Sequence, residues 1–135
     1  MDSIAIETLV ERALTARKNC YAPYSKFLVG SAILLKNGEI ITGVNIENAS
    51  YPVAICAERS AMASVISQGF KDEIVALAVV TSSTPVGSPC GMCRQFLSEF
   101  LDKTTPIILA NDQGEKVLTD IFSLLPMAFT KDSLG

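Results

Sequence analysis

The residues best suited to chemistry fall in two short segments, Cys56-Ala57-Glu58-Arg59 and Pro89-Cys90-Gly91-Met92-Cys93. Together they offer three thiols and one carboxylate. Three soft ligands with an acid beside them make up a catalytic zinc site, because three protein ligands leave a fourth position open for water. A carboxylate next to that water can shuttle its protons. The chain contains no histidine. That absence removes the Ser-His-Asp and Cys-His nucleophilic schemes and every His-containing metal site. Any zinc here must be held by thiolate and carboxylate.

Plainer readings stand beside this one. Cys90 and Cys93 alone have the spacing of a thioredoxin-like redox pair, although that leaves Cys56 unexplained. A structural four-cysteine site would need Cys20, which falls at the end of the first helix and reads as a buried or half-buried thiol. Glu58 alone could be a surface acid favoured by a helix dipole.

The elements around the thiols favour the catalytic reading. Each cysteine segment opens a helix, and each helix follows a strand or loop at the same end of a sheet, where ligand sites on such sheets gather. A helix N-terminus carries about half a positive charge and lowers a thiol pKa. Three thiolates on Zn²⁺ would leave one net negative charge, which two helix N-termini and Arg59 would offset. Glu58, two positions after Cys56, points to a different face from the sulfur and can reach across the open position instead of binding metal.

Residues 3–19 have apolar Ile6, Leu9, Val10, Ala13 and Leu14 at helical spacing, with Ser3 placed to cap the start. Pro23 ends that segment. Residues 27–35 and 40–45 read as strands joined by Asn37-Gly38, a two-residue hairpin signal. Asn45, Glu47 and Asn48 then stand at a strand end and in a loop, where turn chemistry alone could explain them. A helix runs from 56 to about 68, closed by Gly69. Residues 74–81 form a continuous apolar run typical of a strand buried on both faces. A loop at 84–89 precedes a helix over 90–101, a short strand over 106–110, a turn at 111–114 and a short strand at 116–118. Thr119 is placed to cap a last helix through 125, and the polar end of the tail, 126–135, is expected to fray. Strands alternating with helices imply a single α/β domain over 1–135, its sheet sandwiched between helical layers.

Composition narrows the function. The 135 residues carry a net charge of −3, with a pI near 4.9, so there is no basic footprint for nucleic acid. Hydrophobic residues make up 49%, enough to suggest an apolar face used in oligomerisation. No signal peptide or membrane span is readable, which points to the cytoplasm, where structural disulfides are rare.

With these residues in view, the chain resembles the cytidine deaminases of the small, homotetrameric type. The zinc deaminase signature has His-x-Glu followed by Pro-Cys-x-x-Cys; here Cys56 stands in the place of that His. The likeness extends over almost the whole chain, through Tyr24-Ser25-Lys26-Phe27, Val29-Gly30, the stretch from Gly43 to Tyr51, and Cys93-Arg94-Gln95. It departs from the family at Leu28, at Pro52-Val53-Ala54 and at Met127, where other residues are usual. The resemblance implies a three-layer α-β-α fold with a mixed five-stranded sheet. It implies one Zn²⁺ per subunit on Cys56, Cys90 and Cys93, with Glu58 as proton shuttle. Asn45 and Glu47 would hold the ribose 3′-hydroxyl and Phe27 would pack on the pyrimidine. The Ala57 backbone would meet the base, and the Ser88 carbonyl would accept from its amino group. Tyr51 and Phe129 would complete sites across subunit boundaries. The implied reaction is hydrolysis of cytidine and deoxycytidine to uridine and deoxyuridine in pyrimidine salvage. A blasticidin-S-type deaminase shares the zinc motif, and a non-enzymatic zinc or redox module is the rival from another class.

Overall fold

The computed structural model describes residues 1–134. Helix α1 (Ser3–Ala16) runs into a 3-10 turn, Arg17–Asn19, before strands β1 (Gly30–Leu35) and β2 (Ile40–Val44). Helix α2 (Ala57–Ser67), strand β3 (Ile74–Thr81) and helix α3 (Gly91–Phe100) follow, then β4 (Ile107–Asn111), β5 (Lys116–Thr119), the short helix α4 (Ile121–Leu124) and a 3-10 turn, Lys131–Leu134. The last residue of the tail expected to fray, Gly135, lies outside the described residues.

One five-stranded sheet has the order β2-β1-β3-β4-β5. It is mixed: only β3 and β4 pair in parallel, joined by the α3 crossover, and the other neighbours are antiparallel. The three-layer α/β architecture is as expected, with unequal faces. Alternation along each strand sends Ile33, Leu77, Val79, Ile107 and Leu109 to one face, where α2, α3 and α4 cover them with Met62, Val65, Leu97 and Ile121. The opposite face presents Ala32, Ala76, Ala78 and Ala110 to α1, which packs on them through Leu9, Val10 and Ala13. Small residues let a single helix lie close and cover that face. Fully buried Met62, Val65 and Leu97 each contribute roughly 1.5–3 kcal/mol.

Several boundaries differ from the sequence expectation for local reasons. Asp2, not Ser3, caps α1, accepting from the Ala5 N–H; Asp120, not Thr119, caps α4, accepting from Ser123 N–H. Both neighbours can cap, and the backbone geometry decides. The β1–β2 connection is a three-residue loop. Gly38 N–H donates to the Leu35 carbonyl and Gly38 has φ +91° while Asn37 does not adopt positive φ, which is a type I turn followed by a left-handed glycine and not the two-residue form. Strand β1 starts at Gly30; just before it, the Phe27 carbonyl and the Val29 N–H bond to the Asn45 side chain.

The register builds the site. Gly30 pairs with Val44 on one side and Val80 on the other. The entry to β1 and the exits of β2 and β3 therefore meet at one end of the sheet, and the segments 24–29, 45–56 and 82–90 converge there. A side-chain carbon on Gly43 would fall 2.2 Å from the Ala61 nitrogen and 2.6 Å from the Ala57 carbonyl oxygen. Only glycine lets the first turns of α2 come this close to β2.

Candidate active site

Cys56 and Cys90 are the N-cap residues of α2 and α3, and neither side chain makes a capping hydrogen bond. Each sulfur is thereby left free at a helix N-terminus. Cys93 lies one turn into α3 and is fully buried. The three Sγ atoms lie within 4.8 Å of one another. Ligands about 2.3 Å from a tetrahedral zinc stand roughly 3.8 Å apart, so this donor set fits the ion with a small contraction. Cys20 is a separate, half-buried thiol.

The electrostatics are those of a site that keeps thiolate ready. Cys56 is pulled down to about 6 by a hydrogen bond from Cys93, with the Arg59 guanidinium adding to the effect against the cost of burial. Cys93 is pushed far above the ordinary thiol range, since it is the partner that keeps the shared proton. A dication replaces such protons when it binds. Glu58 is 4% exposed. Its burial raises the carboxyl to about 7, and the charge at Cys56 adds to the rise, while the Cys93 thiol opposes it. The surface-acid reading of Glu58 is excluded by that burial.

Phe27, Asn45, Glu47, Ala57, Glu58, Ser88 and the three cysteines line one cavity of about 340 Å³. Asn45 does not serve as a local turn residue. Its Oδ1 accepts from Val29 N–H at 3.0 Å and its Nδ2 donates to the Phe27 carbonyl at 2.8 Å, which clamps the entry to β1 over the cavity. One N–H of that amide remains for a ligand. Glu47 accepts from the N–H groups of Tyr24 and Ser25 and from the Ser25 hydroxyl. That hydroxyl is the main reason its carboxyl lies below the ordinary carboxylate range.

Three expected residues lie outside this cavity. Arg59 sits behind Cys56, with Nη2 donating to the Ala54 carbonyl at 2.9 Å and Nε without a partner. Tyr51 is exposed and packs edge-on to Tyr24 with ring centroids 6.3 Å apart; it borders a neighbouring hollow that shares Glu47 and Ser25 with the main cavity. Phe129 is exposed, and its carbonyl accepts from Gln95 Nε2.

Three contributors escaped the sequence reading. Ser25 lines the cavity and donates to Glu47. Thr81, buried at the end of β3, lines the cavity. Arg94 donates through Nε to the Pro89 carbonyl, through Nη1 to the Leu124 carbonyl and through Nη2 to the Ser88 hydroxyl, each at 2.8 Å. It braces the loop that delivers Cys90. The available signal for Arg94 was a cation in the first turn of a helix, where the dipole disfavours it.

Comparison with known proteins bears on this site. Residues 3–109 match the family model described as the cytidine and deoxycytidylate deaminase zinc-binding region. A cytidine deaminase of Halalkalibacterium halodurans is 43% identical over 96% of this chain and 97% of its own length. A blasticidin-S deaminase of Bacillus cereus is 39% identical over 80% of this chain and 81% of its own length. The crystal structure of a cytidine deaminase from Burkholderia pseudomallei superposes with a TM-score of 0.89 at 41% identity, covering 96% of this chain and all of the other. Three thiols, a buried acid and this fold thus come with family-wide likeness, and the chain belongs to the zinc-binding cytidine and deoxycytidylate deaminases.

Proposed function

We propose that this protein is a zinc-dependent cytidine deaminase, converting cytidine and deoxycytidine with water to uridine and deoxyuridine and ammonia. One observation carries the reading: a single cavity brings the three-thiol cluster and buried Glu58 together with Asn45 and Glu47. The thiols and the acid account for deamination, and the other pair accounts for a nucleoside. Zinc held by Cys56, Cys90 and Cys93 supplies, when bound, the Lewis acidity that makes water nucleophilic near neutral pH.

The chain's own residues do the rest. Phe27 packs on the pyrimidine, while the Ala57 backbone and the Ser88 carbonyl align the base and its amino group. Glu58 takes a proton from the attacking water and gives it to ring N3, then carries the proton of the resulting C4 hydroxyl to the amino nitrogen, which departs as ammonia. Arg59 offsets negative charge at Cys56. Asn45 and Glu47 bind the ribose 3′-hydroxyl, and a site built to bond a hydroxyl strongly rejects ligands without one. No Lys or Arg is among the described residues lining the cavity, which favours a nucleoside over a nucleotide.

The same reading makes the whole chain one catalytic domain working in cytoplasmic pyrimidine salvage as a homotetramer with one zinc per subunit. Among the described residues no helix is long and apolar enough to cross a membrane. Exposed Tyr51, Met127 and Phe129 support an apolar contact between subunits, with Tyr51 and Phe129 completing neighbouring sites.

The test is ammonia release from cytidine with metal analysis of the same sample. Glu58→Ala should keep zinc and fold while losing turnover by about 10²–10⁴-fold; retained turnover refutes the role. The likeness to a blasticidin-S deaminase makes blasticidin S the second substrate to try. Ammonia from it but not from cytidine would reverse the assignment.

A further inference from the structure

The side chain proposed to bind the sugar hydroxyl does not orient itself. Glu47 is half-buried, in a loop beyond β2, and an unheld glutamate side chain there would sample several rotamers. Its carboxylate is instead engaged on both oxygens by one tight turn. Oε1 accepts from Tyr24 N–H at 3.0 Å and Ser25 N–H at 3.1 Å, and Oε2 accepts from the Ser25 hydroxyl. The turn has its own constraint: Lys26 adopts φ +60°, in the left-handed region uncommon for a non-glycine residue.

Ser25 Oγ also accepts from Phe27 N–H at 3.0 Å. A hydroxyl has one proton to give. With that proton directed to Glu47, the bonds run one way, from Phe27 N–H to Ser25 Oγ and from Ser25 O–H to the carboxylate. The arrangement requires Glu47 to be an acceptor. Its remaining lone pairs, on a side chain that lines the cavity, are those of an ionised carboxylate held in a fixed direction.

We infer that the Ser25 hydroxyl is a positioning group for substrate recognition: it fixes the Glu47 carboxylate toward a ligand hydroxyl and couples that direction to the placement of Phe27 against the base. The inference rests on the proposed binding of a nucleoside by Glu47 and extends it to a residue that need not touch the sugar. The charged group facing Glu47 from the same turn, Lys26, favours the ionised form, as does the Ser25 hydroxyl. Glu58 and the thiols share the cavity wall but hold no hydrogen bond to Glu47.

The experiment compares kcat/KM for cytidine with that for 3′-deoxycytidine, which differs only in lacking the 3′-hydroxyl, in zinc-loaded wild type, Ser25→Ala, Ser25→Thr and Glu47→Ala. A hydrogen bond to a charged group corresponds to about 10-fold or more. Ser25→Ala should raise KM for cytidine by about 10-fold, leave kcat within about threefold, and lower the preference for the hydroxyl-bearing nucleoside by a similar factor. Ser25→Thr, which keeps the hydroxyl, should restore the preference. The ratio is internal to each variant, so a partly destabilised protein still reports it. A preference unchanged in Ser25→Ala, or equal losses on both nucleosides, overturns the inference when Glu47→Ala abolishes the preference. If Glu47→Ala also leaves the preference intact, the underlying reading of Glu47 is what fails.

Discussion

Cys56 and Cys90 occupy equivalent positions, each the cap of a helix, and each helix carries an early arginine that donates to the carbonyl of the fifth residue back, Arg59 to Ala54 and Arg94 to Pro89. Beyond that likeness the two starts are held differently. Helix α2 is sunk into the core: Ala57, Glu58, Ala61, Met62 and Val65 are buried, and its backbone lies directly on Gly43. The start of α3 is open. Cys90 and Met92 are exposed, a side-chain carbon on Gly91 would meet nothing within 4 Å, and burial begins at Cys93 and Leu97. Core packing fixes one ligand, whereas a loop braced by Arg94 presents another. The first-turn cations, unfavourable toward the dipole, serve this bracing.

The sharpest way to break the comparison is a matched pair of glycine substitutions. Gly43→Ala forces a methyl into backbone 2.2 Å away and should cost at least about 3 kcal/mol, at or beyond the usual range for overpacking. Denaturant unfolding of the metal-free protein measures it. Gly91→Ala, the last effect in size, should be neutral or stabilise by about 0.4–1 kcal/mol. Equal costs at the two sites would show that α2 is not the anchored partner.

Next in size is the cost of burying Glu58. Its carboxyl titrates at about 7 when folded against an ordinary 4.5. Between those values the folded chain keeps a proton that the unfolded chain releases. The stability tied to that proton is full below about pH 4.5 and lost as pH rises through about 7. Glu58→Gln carries no such dependence. In the metal-free state its advantage over wild type should be small at pH 4.5 and grow to about 3 kcal/mol above pH 7. A difference that stays flat with pH would remove burial as the cause.

Smaller effects separate the two arginines. Arg94→Gln releases the Ser88–Pro89 loop and should lower zinc affinity by about 10–100-fold, read by chelator competition. Arg59→Gln should weaken zinc retention by less, since Arg59 holds one carbonyl and already has an unpartnered Nε. A larger loss from Arg59 would shift the weight of the brace to the α2 side.

The thiols and Glu58 were legible in the sequence because ligand type and short spacing are local properties, and the strand–helix alternation likewise gave the layers. Ser25 and Arg94 were not, because what they do depends on partners 22 and 30 residues away. Asn45 shows the same limit. Turn chemistry and ligand binding were both readable from its position, but its clamp on Phe27 and Val29 exists only once β1 and β2 pair. Cap choice failed at the other extreme: Asp2 and Ser3, like Thr119 and Asp120, are adjacent residues of types that can both cap.

The shared pairing of Gly30 with Val44 and Val80 also governs how the protein gains its site as it folds. A ligand there spans three stretches of chain that become neighbours only when β1 lies between β2 and β3. Its binding energy is therefore added to the whole sheet, not to one loop, and should slow global opening more than local fraying. A half-assembled chain has no partial version of this pocket to occupy.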